Sequence, residues 1–166
     1  MPNWVKCCVY ARDHKKLLDA FKGKDSDGEE KDFTFNKVVP MPESTYREPV
    51  GADAPADNWY YWRLSHWGTK WDCCEARDDG ECVVFETAWS CPTAYLSALA
   101  EYLREPVVCA YADEDIGSNC GCVIYFPDGG NNEIDCATLY ASMLWDGDLD
   151  FEWLLDCFGE EEEEDD

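Results

Sequence analysis

The residues with the most chemistry within reach lie in one short run, Trp67-Gly68-Thr69-Lys70-Trp71-Asp72. Two indoles flanking an ammonium can stack on a flat ligand while the cation pairs with an anion or sits over a ring face. Trp67, Lys70 and Trp71 are therefore a candidate ligand platform. The same residues suit a structural role equally: large aromatics cover an open sheet face, Gly68 permits a tight turn, and Asp72 accepts from backbone donors. The structural role is the expected one.

Eleven cysteines invite a metal. Cys7-Cys8 and Cys73-Cys74 are adjacent pairs, and on a strand neighbouring side chains point to opposite faces, so neither pair chelates one ion. Cys120 and Cys122 share a face but lack the spacing of a zinc knuckle. A zinc site would have to be assembled across strands. The expectation is buried, reduced thiols serving as small core residues, with no metal and no cofactor. Catalysis has less behind it. The two histidines, His14 among lysines and His66 in an aromatic stretch, belong to no triad motif. No phosphate-binding loop is present, and Gly129-Gly130 reads as a turn. Among 37 acids any carboxylate pair can be drawn, so no single pair is specific. The chain is not expected to be an enzyme.

Charge is the remaining feature. There are 13 basic and 37 acidic residues, a net −24. Seven of the acids form the terminal run Glu160 to Asp166; without them 30 acids face 13 bases, so residues 1–159 still carry −17. A field of that sign repels nucleic acid and anionic membranes and steers basic partners inward. Asp113-Glu114-Asp115 forms one dense loop, and Asp146, Asp148, Asp150 and Glu152 alternate. In an extended segment such alternating carboxylates repeat every ~6.6 Å on one face, a scale broadly similar to the phosphates of a nucleic-acid strand. Asp113, Glu114, Asp115, Asp146, Asp148 and Asp150 are the candidate partner-binding residues, against the plainer reading of a solvated face that confers solubility.

The elements that must position these groups can be read from periodicity. Residues 4–10 form a strand. Asp13 caps a helix carrying Leu17, Leu18 and Phe21 on one face, with Gly23 as a stop. Lys24 to Asp32 is a charged loop, a short apolar stretch runs from Phe33 to Val39, and residues 43–58 are an irregular insertion. Lys70–Arg77 and Glu81–Ala88 are strands of a hairpin turning at Asp78-Asp79-Gly80. Pro92 suits the start of a helix in which Leu96, Leu99, Ala100 and Leu103 make a stripe. Two strands follow, 107–112 and 120–126, then a turn at 128–132, a helix over 137–145, and an amphipathic segment with Phe151, Leu154, Leu155 and Phe158. The order β-α-β-β-α-β is the split βαβ, or ferredoxin-like, α+β arrangement: an antiparallel sheet with helices on one face, an insertion after the first helix and a C-terminal helical extension. Residues 1–159 are expected to form one domain and 160–166 a disordered acidic tail. The N-terminus shows no signal-peptide pattern and no apolar run approaches the ~20 residues of a membrane helix, so a cytoplasmic location is expected.

Four motifs in order sharpen this reading: Met1-Pro2-Asn3-Trp4, Phe35-Asn36-Lys37-Val38-Val39-Pro40-Met41-Pro42, Trp67-Gly68-Thr69-Lys70-Trp71-Asp72 within the run Trp62 to Asp72, and Phe85-Glu86-Thr87-Ala88-Trp89-Ser90. Over roughly residues 1–126 the chain resembles the phage Api-like and plasmid YubB-like family of ferredoxin-like-domain proteins. It departs from the family at its cysteine-rich strands and acidic C-terminus. The resemblance implies the fold and a mobile-element origin, and implies no catalytic residue. Together with the acidity it leads to an expected function: an accessory protein that binds a basic host nucleic-acid-binding protein, such as a CRISPR effector or restriction nuclease, and blocks it without catalysis. A small-ligand module, for instance for a nucleotide signal, built on the Trp67–Trp71 region is one alternative. A structural or regulatory phage protein is another.

Overall fold

The first strand sets the plan of the molecule, because its two sides are both apolar. In the computed structural model, which describes residues 3–114 and 119–134 together with Phe151, Glu152 and Leu155, β1 runs over Trp4–Tyr10. Val5, Cys7 and Val9 point into one core and Cys8 and Tyr10 into another. Alternation with both faces apolar requires cover on both sides, and β1 lies inside the sheet accordingly.

Helix α1 follows at His14–Phe21, capped by Asp13, whose carboxylate accepts from the Lys16 N–H at 3.1 Å. Leu17, Ala20 and Phe21 are its buried face. The charged loop beyond it holds a small hairpin, β2 (Gly23–Lys24) with β3 (Glu30–Lys31), and a 3-10 turn spans Phe35–Lys37. Helix α2 covers Trp59–His66, an aromatic stretch to which the sequence reading assigned no element. The hairpin strands are β4 (Cys74–Asp78) and β5 (Val83–Ala88), β4 beginning four residues later than its periodicity suggests. Helix α3 (Thr93–Leu103) buries Leu96, Leu99, Ala100 and Leu103 together with Tyr95, and stops at Arg104, which turns left-handed at φ 58°. Then come β6 (Val107–Asp113), β7 (Cys120–Tyr125) and the short β8 (Asn131–Glu133).

One sheet of order β4-β5-β1-β6-β7-β8 results, every neighbouring pair antiparallel. β1, α1, β4, β5, α3 and β6 make the β-α-β-β-α-β unit, with β1 between β5 and β6, and β7 and β8 widen the sheet beyond it. On the helical side Phe21 and Phe35 each make ring contacts with both Phe85 and Tyr95, in one core with Leu96 and Leu99. On the opposite side Val84, Val108, Ile124 and Phe126 are covered by Ile134, Phe151 and Leu155. Phe151 stacks on Tyr10 at 5.4 Å, and the Tyr10 hydroxyl donates to Glu152. The second face is thus closed by the C-terminal segment, and not by tryptophans of the 67–71 run. The helix expected over 137–145, Leu154, Phe158 and the tail 160–166 lie outside the described residues.

Candidate functional site

The Trp67–Asp72 run is fixed at both ends by its own polar groups. Asn58 caps α2 by accepting from the Tyr61 N–H at 3.1 Å, and the helix closes with Trp67 and Gly68 both donating to the Arg63 carbonyl. Gly68 then takes φ +82°, a left-handed turn that glycine adopts without strain. Trp67, at the C-cap of α2, turns its side chain inward. It is fully buried, its Nε1–H donates to the Val39 carbonyl at 2.9 Å, and its ring meets Phe35 and Trp62 edge-on. The Arg63 guanidinium lies 5.1 Å from the Trp67 ring and 5.2 Å from Trp59, and burial pulls its pKa down. Trp67 therefore offers no free ring face to a ligand.

Downstream, Thr69 Oγ1 donates to the Ala88 carbonyl at 3.0 Å and Ser90 Oγ to the Gly68 carbonyl at 2.7 Å, tying the run to the end of β5. Asp72 accepts from Thr34 Oγ1 at 2.5 Å and from the Phe35 and Cys73 N–H groups at 2.8 Å each. Accepting from backbone donors is the structural role expected of Asp72. Lys70 Nζ rests 4.9 Å from the Trp71 ring centre, and Trp71 in turn lies 5.9 Å from Trp4. Of the three platform residues, only Lys70 and Trp71 are partly open to solvent. A groove of about 360 Å³ along the hairpin is lined by Lys6, Glu75, Arg77 and Glu86 beside Val84 and Phe85. Mixed charges of this kind differ from the mainly apolar walls of a small-molecule pocket.

The candidate acidic loop begins at the end of β6. Asp113 pairs with Val5 across the ladder, gives its N–H to the Asn119 carbonyl at 3.0 Å, and is only 5% exposed. Glu114 is exposed. Asp115, Asp146, Asp148 and Asp150 lie outside the described residues. Further exposed acids that the sequence reading did not single out, Asp78, Asp79 and Glu81, crowd the tip of the β4–β5 hairpin.

Beside the acidic loop stands a residue that pattern reading missed. Trp89, directly after β5, is 57% exposed with φ +70°, a region costly for a bulky side chain. Its N–H donates to the Asn3 carbonyl at 2.9 Å, and its own carbonyl accepts from Asn119 Nδ2 at 3.0 Å. Asn119 thus links Trp89 to the end of β6. The β1–β5 register sets Trp4 opposite Ala88, so Trp4, Trp71, Trp89 and the 113–114 segment all belong to one end of the sheet. The available signal was positional: an aromatic where the chain must leave a strand within three residues of a proline that opens a helix.

The nine described cysteines are free thiols. Cys8, Cys82 and Cys122 are buried on the C-terminal side of the sheet. On the helical side Cys7, Cys91 and Cys109 converge, with sulfurs all within 4.8 Å of one another. Adjacent Cys7 and Cys8 do fall on opposite faces, as strand geometry requires.

Residues 66–164, more than half of the chain, match the family model described as the ferredoxin-like domain in Api92-like protein. The match starts at the end of α2 and extends through the acidic C-terminal segment, further than the motif resemblance reached. Comparison with curated proteins and with solved structures gave no match.

Proposed function

The chain belongs to the family of Api92-like proteins with a ferredoxin-like domain, and on that premise we propose that it is a non-enzymatic mobile-element accessory protein. It binds a basic nucleic-acid-binding protein of the bacterial host, of the CRISPR-effector or restriction-nuclease kind, and keeps that protein from its nucleic acid. One observation carries the reading: −17 of charge remains on residues 1–159 after the acidic tail is discounted. Charge of this density raises encounter rates with basic surfaces and repels polyanions.

The end of the sheet that bears Trp89 and Glu114 supports the same reading, because interface energy concentrates on aromatic anchors within a polar surround. Asp115, Asp146, Asp148 and Asp150 complete the acidic set in this proposal, while the burial of Asp113 suits it to holding the loop. The ligand-platform alternative loses its first member to the core, since Trp67 is fully buried. Among the described residues no helix is long and apolar enough to cross a membrane. The test is capture of basic partners from host lysate at low salt, followed by a nucleic-acid competition assay with the captured protein. Capture of no basic partner would set the proposal aside.

A further inference from the structure

We propose that Cys7, Cys91 and Cys109 form a buried trigonal thiolate site for one soft monovalent metal ion, Cu(I). The three residues come from three places in the chain: Cys7 from the middle of β1, Cys109 from the facing stretch of β6, and Cys91 from the turn that leads into α3. Their sulfurs lie within 4.8 Å of one another, and Cys91 and Cys109 are 3.9 Å apart. A metal about 2.3 Å from each of three sulfurs holds them about 4.0 Å apart in a trigonal plane. The Cys7 sulfur, within 4.8 Å of the other two, stands less than about 1 Å beyond that spacing.

The surroundings select the ion. Thiolates favour Cu(I), zinc and iron–sulfur clusters, and zinc in a structural site takes four ligands. The other polar groups beside the three sulfurs are neutral oxygens: Thr87 Oγ1 and the Val5 carbonyl at 3.9 Å from Cys7, the Ala110 carbonyl at 3.8 Å from Cys109, and the Tyr125 hydroxyl next to Cys91. No histidine or carboxylate of the described residues joins the cluster. Cu(I) is satisfied by three sulfurs and needs no fourth donor. The Tyr125 hydroxyl is buried without a hydrogen-bond partner among the described residues, an unexplained polar group that a thiolate at Cys91 would satisfy by accepting a hydrogen bond from it.

Thiolate charge has a local counterweight. Cys91 precedes Pro92 at the cap of the eleven-residue α3, so the positive end of the helix dipole faces it. Burial pushes the Cys91 and Cys109 thiols up; it does the same at Cys7, where hydrogen bonds from Cys109, Cys91 and Thr87 pull the other way and bring it down. Metal entry releases to solvent the thiol protons that ligation displaces.

The experiment is a titration of the reduced, full-length protein with Cu(I) under anaerobic conditions against bicinchoninate as competing chelator. Wild type and Cys122→Ala, whose sulfur lies in the core on the other face, should each withdraw one Cu(I) per chain. Cys91→Ala should weaken retention by more than the roughly 10–100-fold that loss of a supporting outer group causes. Circular dichroism checks that this variant is folded. Should it not fold, X-ray absorption on the wild-type copper complex decides: a shell of three sulfurs supports the site and a shell of two overturns it. Failure of wild type to take Cu(I) from the chelator, undiminished binding by folded Cys91→Ala, or retention of Zn(II) in preference to Cu(I) would each overturn the proposal.

Discussion

Three tryptophans separate the roles that one aromatic-rich sequence can hide. Trp67 is wholly buried with its N–H satisfied, Trp71 is half-buried against Trp4 and Lys70, and Trp89 is exposed on strained backbone. Trp67→Ala should therefore lower stability by ~3–5 kcal/mol, read from a shift in denaturant midpoint, and Trp71→Ala by clearly less. Equal losses at the two positions would contradict the burial difference. For Trp89 the expectation is reversed. Trp89→Gly removes a side chain from a left-handed position and should leave stability unchanged or raise it by about 1 kcal/mol, while weakening the complex with a basic partner. The sequence placed Asp72 among backbone donors and doubted the platform, both from residue type. It could not rank the tryptophans, because the burial of Trp67 rests on α2 ending at His66 and on packing against Phe35 and Trp62.

At the scale of elements, legibility followed periodicity. The stripe of α3, the Asp13 cap of α1 and the Asp78-Asp79-Gly80 turn were all visible because each rests on local chemistry: spacing, a capping carboxylate, a glycine at φ +88°. Helix α2 was not, since it buries no residue fully and its aromatics follow no apolar stripe; Asn58 as a cap was its one local cue. The late start of β4 has the same origin, because residues 67–72 spend their polar groups on β5 and on Thr34 and Phe35 before the strand begins. The Cys7, Cys91 and Cys109 cluster was invisible for another reason: three distant segments converge only in the fold. A pair of glycines tests these elements. Gly80 takes φ +88° in open space, so Gly80→Ala should cost about 1 kcal/mol, the intrinsic price of that conformation. Gly68→Ala should cost substantially more, because the added Cβ would meet the Thr93 and Ala94 backbone nitrogens at 3.0 and 3.2 Å. Thermal unfolding of the two variants gives the order directly. In the core, Leu99→Ala on α3 should cost ~2–5 kcal/mol.

For the whole molecule, charge is the property that the fold does not explain. The sheet has two apolar faces, one packed with α1 and α3 and the other with Ile134, Phe151 and Leu155; nothing in that packing calls for −17 on residues 1–159. Exposed carboxylates are individually weak contributors, so single neutralisations should change binding by ~1 kcal/mol or less. Collectively they set the field, which salt screens over about 8–10 Å at ordinary ionic strength. Replacing Glu114 by Gln and Asp115, Asp146, Asp148 and Asp150 by Asn should reduce affinity sharply and leave the fold intact, whereas deleting Glu160 to Asp166 should matter less. The most direct measurement is competition: the ability of wild-type and five-fold-neutralised protein to keep a captured basic partner off its nucleic acid, at low and at high salt. Charge complementarity predicts strong inhibition by wild type at low salt, weaker inhibition at high salt, and little by the neutralised variant at either. A neutralised variant that inhibits as well as wild type would contradict it.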